Sequence, residues 1–235
     1  MFGEKAVAVI FKELKQLNDG LFPDNPVIVI INIESLTEED KRKSQEAVNL
    51  VKIKSCGKIK GRTCANGSHQ RHFVKAEDNF ASPTASLESI LTTLIIDAYK
   101  GKDVAVADVP RSYLHVEFPK EKKVVLKLTG VFVYIMCSLN PEYSEHVIYE
   151  INRKGKKVKQ LHARVLRALY GCIESAPLWY QLYSTTLQDM GFVLNPYDKC
   201  LVNKIINSKQ CTIEFYVDNN KVSHEDPTLV TQVLD

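Results

Sequence analysis

The chain has 235 residues, with 31 Lys plus Arg against 28 Asp plus Glu, 45% hydrophobic and 9% aromatic residues, ten Gly and nine Pro. That balance excludes a fibrous, collagen-like or wholly disordered chain and leaves one large domain or two smaller subdomains with a core. The longest apolar runs, residues 27–31 and 131–137, fall far short of the roughly 20 residues that span a bilayer, so no membrane partner is expected.

In chain order, residues 4–17 place Val7, Ile10, Phe11, Leu14 and Leu17 on one helical stripe, ended by Asn18-Asp19-Gly20. Thr37 with Asp40 three residues on has the form of a capping box, which predicts a strongly polar helix running to about Asn49. Residues 51–54 and 58–64 alternate apolar and basic positions around Ser55-Cys56-Gly57, a hairpin with a basic face. Ser82-Pro83-Thr84 opens a helix carrying Leu87, Ile90, Leu91, Leu94, Ile95 and Ala98 on one side, and Gly101 stops it. Residues 103–109, Asp-Val-Ala-Val-Ala-Asp-Val, read as a short strand small and β-branched enough to be buried on both faces.

An apolar segment at 131–139 precedes a second basic hairpin, residues 146–152 and 158–161 around Arg153-Lys154-Gly155-Lys156. Ala176-Pro177 starts a helix that contains Leu178, Leu182, Leu187 and Met190, with Gly191 where a C-terminal cap belongs. Strands at 201–206 and 211–217 join through Asn207-Ser208-Lys209, and Asp218-Asn219-Asn220 forms a tight turn into Lys221-Val222-Ser223. Asp226-Pro227 then begins a helix in which the sequence stops. Strand pairs mix with helices without regular βαβ alternation, so the expected class is α+β with a mainly antiparallel sheet.

Charge is unevenly distributed. Residues 52–75 carry seven Lys or Arg and no acid, and residues 153–167 carry seven more and no acid. Each stretch is either a solvated hairpin tip or part of a phosphate-handling surface. A carboxylate ending a buried strand is costly unless it meets water, a partner or a metal, which makes Asp108 a candidate site residue. Asp218 also follows an apolar strand. If the two strands are neighbours the carboxylates can share divalent ions; otherwise Asp218 is a turn residue bonded to its own backbone.

Six cysteines, at 56, 64, 137, 172, 200 and 211, form no C-x-x-C pair, and the N-terminus lacks the pattern of a secretory signal; free thiols in an intracellular compartment are expected. Cys64, His69 and His72 are close in sequence but lack a second ligand pair, so no zinc is expected. The other histidines, 115, 146, 162 and 224, form no constellation, and residues 57–63 lack the G-K-[ST] ending of a phosphate loop.

Three segments, in this order and spacing, carry a resemblance. They are Asp108-Val109-Pro110-Arg111-Ser112-Tyr113-Leu114, Leu169-Tyr170-Gly171-Cys172-Ile173-Glu174-Ser175-Ala176-Pro177-Leu178-Trp179-Tyr180, and Tyr216-Val217-Asp218-Asn219. With residues 58–67, Ser82-Pro83-Thr84 and Asn195-Pro196-Tyr197-Asp198 they resemble the copia-type retrotransposon reverse transcriptases, the RNA-directed DNA polymerase part of a Pol polyprotein, from about Leu14 to the C-terminus.

Residues 1–35 read as an N-terminal helix and strand, with the helix outside the resemblance; beyond them the resemblance implies a fingers-and-palm polymerase module, 36–102 fingers-like and 103–235 palm-like with part of the fingers at about 115–165 and the thumb missing. It implies Mg2+, or Mn2+, held by Asp108 and Asp218, with template-primer RNA or DNA and deoxynucleoside triphosphates as partners. Tyr113 would lie under the incoming sugar, where a 2′-hydroxyl separates ribonucleotides from deoxynucleotides. Lys60 and Arg62 correspond to the fingers strands that reach the triphosphate, with the choice between them open. Tyr170 and Gly171 match the loop beside nucleotide and template, Tyr216 opens the hairpin motif, and Trp179 and Tyr180 read as packing residues.

The departures are specific. Asn219 stands where the family has a second aspartate, and an amide offers one neutral oxygen where a carboxylate offers two charged ones. Arg111 replaces a small residue beside Tyr113, and Glu174 reverses the charge of a basic or neutral stretch. The expected function is therefore RNA-directed nucleotidyl transfer to a primer 3′-hydroxyl, weak or lost. The alternatives are a non-catalytic nucleic-acid-binding remnant and a relic reading frame whose product does not accumulate.

Overall fold

The stripe at residues 4–17 becomes the first helix, which buries Leu14 and Leu17 and leaves Val7 and Phe11 partly exposed. In chain order the elements are α1 (Gly3–Asp19), β1 (Ile28–Ile31), α2 (Glu38–Lys43), β2 (Gln45–Ile53), β3 (Ile59–Ala65), α3 (Leu87–Tyr99), β4 (Asp103–Asp108), β5 (Val124–Thr129), α4 (Val131–Leu139), β6 (Ile148–Ile151), β7 (Lys157–Val165), α5 (Ser175–Asp189), β8 (Val193–Leu194), β9 (Leu201–Ile206), β10 (Lys209–Tyr216), β11 (Asn219–His224) and α6 (Pro227–Leu234). The structure, a computed structural model, describes residues 3–68, 70–73, 80–152 and 155–234. His69, Lys75, Arg153 and Lys154, singled out in the sequence, lie outside the described residues. The fold is α+β, with sheets that are mainly antiparallel. No helix among the described residues is long and apolar enough to cross a membrane.

Contacts divide the chain into two units, Met1–Asn79 with Tyr113–Ser175, and Phe80–Ser112 with Ala176–Asp235. Residues 80–102, grouped by sequence with the segment before them, thus belong with the C-terminal part.

The first unit holds a sheet in the order β1-β7-β5-β2-β3, with β6 on the outer half of β7; β2 and β5 are its parallel pair. Its core is formed by Leu126, Leu128, Leu161 and Ala163, all without exposure. The apolar segment at 131–139 is a helix, α4, that buries Phe132, Val133, Ile135 and Met136. Helix α1 packs on β3 so closely that a Cβ at Gly61 would stand 2.5 Å from Cγ1 of Val9.

The polar helix predicted to reach Asn49 ends at Lys43. Thr37 and Asp40 do form the reciprocal capping box. Gln45 and Ala47, however, point inward and Glu46 and Val48 outward, the two-residue period of a strand. Asn49 is tied across to β3 by the Thr63 hydroxyl, which donates to it at 2.7 Å.

The second unit is a five-stranded antiparallel sheet, β4-β11-β10-β9-β8. One face, with Val202, Cys211, Ile213, Phe215 and Val222, packs against Leu187 of α5 and Val230 of α6. The strands β9 and β10 meet in a two-residue turn, Asn207-Ser208, both with positive φ (50° and 62°), which matches the right-handed twist of a hairpin.

Three expectations change in this unit. Helix α3 starts at Leu87 under a Ser86 cap, not at Ser82-Pro83-Thr84, which precede it without helical structure. Its apolar side faces outward, with Leu87 66%, Leu91 52% and Ile95 69% exposed, while Thr93 and Asp97 are the buried residues. Strand β4, expected to be buried on both faces, is an edge strand with Val106 73% exposed.

The Asn195-Pro196-Tyr197-Asp198 segment acts as a latch. Asn195 Oδ1 accepts the amides of Tyr197 and Asp198, and the Asp198 carboxylate accepts the amides of Ser86 and Cys200. Burial works against the Asp198 charge, but the Ser86, Ser89 and Cys200 donors outweigh it and hold its pKa below the ordinary aspartate value. The stability it supplies is full above about pH 4 and is lost as pH falls through the depressed folded value. Asp198→Asn is therefore expected to flatten the acid limb of the melting temperature measured against pH, while an unchanged limb would assign that limb to other carboxylates.

Candidate functional site

The second unit gathers one set of sequence-predicted residues at the end of its sheet. Tyr216 on β10 is the cross-strand partner of Asn219 on β11, and Asn219 is the partner of Asp108 on β4. The Val109 amide donates to the Asp218 carbonyl at 2.7 Å, which makes Asp108 and Asn219 a non-hydrogen-bonded pair, the type in which side chains stand closest, with Cα atoms about 4.5 Å apart. Tyr216, Asn219 and Asp108 thus form a row on one face of the sheet. The Asn219 Nδ2 donates to Asp218 Oδ1 at 3.2 Å, which brings the fourth member to the row. Asp108 and Asn219 are exposed and Asp218 and Val217 half-buried.

The turn between β10 and β11 is Val217-Asp218, one residue earlier than the sequence suggested. Val217 has φ +55°, a left-handed conformation that costs a β-branched residue roughly 1–2 kcal/mol. Such strain persists only where surroundings over-determine it. Here Trp179 Nε1 donates to the Val217 carbonyl at 2.7 Å, and the Trp179 ring stacks on Tyr183 at 5.1 Å. Tyr183 donates its hydroxyl to Asn220 Oδ1 at 2.7 Å, and Asn220 Nδ2 donates to the Asp218 carbonyl at 3.3 Å. Burial pushes the Tyr183 phenol up to about 12, which keeps it protonated and a donor. Trp179, read from sequence as a packing residue, is therefore also a backbone anchor. Nothing in the sequence marks that bond, because its partners are far apart along the chain.

The first unit gathers a second set. The Arg62 guanidinium lies 4.6 Å from the Tyr170 ring centroid, and the Tyr170 and Tyr113 rings are 4.6 Å apart. Residues from three separated segments thus form one cation–aromatic–aromatic cluster, with the two tyrosine rings tilted 50° to each other. Lys60 shares the Arg62 face of β3, is exposed, and stands directly opposite Lys52. Like charges opposite one another are unfavourable, so this hairpin concentrates positive potential at a cost in stability.

Tyr170 is placed by its backbone. Its carbonyl accepts the Ala65 amide at 2.8 Å, and Gly171, with φ +92°, comes so close that a Cβ there would be 1.8 Å from the Ala65 carbonyl oxygen. Gly67 is equally tight, with a Cβ 1.9 Å from the Gly171 oxygen. Gly171→Ala is expected to cost about 2–5 kcal/mol from left-handed strain plus overpacking, checked by denaturant unfolding. A loss under about 1 kcal/mol would mean that the loop moves aside freely.

The departures have defined settings. Glu174 is buried, and its carboxylate accepts Gln70 Nε2, while Gln70 Oε1 accepts the Ile173 amide. Its charge is turned into a local bond rather than displayed. Arg111 is exposed and sits at φ +59°. Among the described residues no group of three or more His, Cys, Asp and Glu is placed to hold a metal. A set of two carboxylates and one amide lies below that count. Neither a protein-family model nor a curated protein matches the chain.

Proposed function

We propose that the chain is a copia-type reverse transcriptase domain, an RNA-directed DNA polymerase by descent, with activity weakened at Asn219. The observation that supports this reading most is the row formed by Tyr216, Asn219 and Asp108 with Asp218 in contact, all at an accessible sheet end. Magnesium takes oxygen donors, commonly one or two carboxylates completed by substrate phosphates and water, and Asp108 and Asp218 fit that donor set. When bound, the ion would supply charge stabilisation for nucleotidyl transfer.

The chain's own residues have separate parts in this reading. Asp108 and Asp218 are the ligands, and the Trp179 and Asn220 hydrogen bonds fix the turn that presents Asp218. In the first unit Arg62, Tyr113 and Tyr170 offer a cationic and aromatic surface suited to a nucleoside triphosphate, and Lys60 adds an exposed cation. Transfer joins the primer 3′-oxygen to the α-phosphorus and releases pyrophosphate.

The test is extension of a DNA primer on a homopolymer RNA template with magnesium or manganese. Extension by the parent chain that disappears in Asp108→Ala, with an unchanged melting temperature, is the expected result. Extension that survives Asp108→Ala would overturn the site.

A second reading is a non-catalytic nucleic-acid-binding remnant. It is favoured by the Asn219 amide, which donates to Asp218 Oδ1 and so occupies an oxygen that a metal would use. Salt-sensitive binding without extension in either metal would decide for it.

A further inference from the structure

The second basic stretch carries a feature that the nucleotidyl-transfer reading does not use. In the β6–β7 hairpin of the first unit, Tyr149 is paired with Lys159 and Ile151 with Lys157, so these four residues share one face. The Lys157 ammonium lies 4.6 Å from the centroid of the Tyr149 ring, and the Lys159 ammonium lies 4.8 Å from that of Tyr134 on α4. Tyr134 and Tyr149 are 61% and 56% exposed, and Ile151 is 72% exposed. The one acid of these paired segments, Glu150, is on the opposite face, where Gln160 donates to it. The result is an acid-free face in which two cations alternate with two accessible aromatic rings.

We propose that this lysine–tyrosine ladder binds single-stranded nucleic acid, with bases stacked on Tyr149 and Tyr134 and phosphates held by Lys157 and Lys159. A protein surface that tracks a single strand needs cations along the backbone path and exposed π-faces beside them, and both are present. Lys157 and Lys159 are two residues apart on a strand, which puts their Cα atoms about 6.8 Å apart along the path a backbone would follow. The existing lysine–tyrosine contacts are exposed and weak, so a base can replace an ammonium on a ring while the ammonium turns to a phosphate. An acidic peptide would use the lysines and leave the rings idle, and a duplex hides its base faces. The ladder does not depend on the metal site and would operate in either reading above.

The experiment is fluorescence anisotropy of a labelled oligodeoxythymidine and of an abasic oligonucleotide with the same number of phosphates. The parent is expected to bind the base-bearing strand about 10-fold more tightly, and Tyr149→Ala to remove most of that difference. Tyr149→Phe should keep it, because the ring is retained. The double variant Lys157→Ala, Lys159→Ala should lower the slope of log affinity against log salt by about 1.4, near 0.7 for each lost phosphate contact. Circular dichroism that matches the parent establishes that the variants fold.

Equal affinity for the base-bearing and abasic strands, or an unaltered Tyr149→Ala variant, overturns the ladder, as does better competition by polyglutamate or by phosphatidylserine vesicles than by the oligonucleotide. Binding lost in Arg62→Ala but kept in Tyr149→Ala would sink the ladder and leave the nucleotide-binding face of the first unit standing. Binding is expected to survive Asp108→Ala, which separates this result from any failure of catalysis.

Discussion

Asp97→Ala is expected to destabilise the second unit by about 3–5 kcal/mol, a large share of the roughly 5–15 kcal/mol that holds an ordinary domain folded. Asp97 is 3% exposed, on the buried side of α3. It meets Lys221 Nζ at 3.0 Å and Lys102 Nζ at 3.5 Å, and it accepts the Ser223 hydroxyl at 2.8 Å. Glu214, 4% exposed, meets the same Lys221 at 3.4 Å and accepts the Thr93 hydroxyl at 2.8 Å. Two carboxylates and two ammoniums therefore balance in a nearly water-free layer. Removing one carboxylate leaves Lys102 and Lys221 with only Glu214, and the uncompensated ammonium sets the cost.

The hydroxyl contributes far less. Ser223→Ala should cost only about 1 kcal/mol, the net value of one hydrogen bond. The double variant Asp97→Ala, Lys221→Ala should be less damaging than the two single costs added, by about 1–3 kcal/mol, because it removes opposite charges together. Chemical denaturation followed by circular dichroism measures all three. Asp97→Ala costing under about 1 kcal/mol would mean that water reaches the layer and screens it.

The same network explains why α3 sits against its own amphipathy. A helix with Leu87, Leu91, Leu94 and Ile95 on one side would ordinarily roll that side onto the sheet. Thr93 and Asp97 lie one turn apart and both bond Lys221, which locks a single rotation and register. Burial of a charged network is a poor source of stability, but it can select one arrangement over a more apolar competitor. An apolar pattern in sequence cannot reveal this, since Lys221 and Ser223, which bond Asp97, lie on β11, more than a hundred residues away.

Other elements were legible for reasons that stay local. The α1 stripe, the Ser55-Cys56-Gly57 hairpin, Pro177 and Gly191 around α5, and the Asp226 cap of α6 all carry their signal within a few residues. The start of α2 was visible for the same reason, through Thr37 and Asp40, whereas its end was not. Nothing in Gln45-Glu46-Ala47-Val48-Asn49 stops a helix, and only pairing with β3 and β5 makes it a strand. At the candidate site the residue types were readable, but the row from Tyr216 to Asp108 depends on the register of three strands, and the one-residue error in the turn would have displaced Asp218 from it.

Asn219→Asp is expected to raise primer extension about 100- to 1000-fold, the scale on which loss of one charge-stabilising group acts on a transition state. In the parent, the Asn219 amide donates to the Asp218 carboxylate and occupies one of its oxygens. Aspartate cannot donate that bond. It places a third carboxylate beside Asp218 and across from Asp108, so without a divalent ion the variant should melt below the parent. With magnesium the repulsion becomes ligand charge and the order should reverse, because an ion that binds only the folded state stabilises it by mass action. The readout needs no turnover: the melting temperature of each protein is compared in chelator and in magnesium, and Asp108→Asn added to Asn219→Asp should remove most of the magnesium response. A variant that melts alike in both conditions would show that Asp108, Asp218 and Asp at 219 do not converge on an ion. A magnesium response without extension would show that the metal site is competent and that the loss of activity lies elsewhere, with Arg111 at its strained φ the next residue to change.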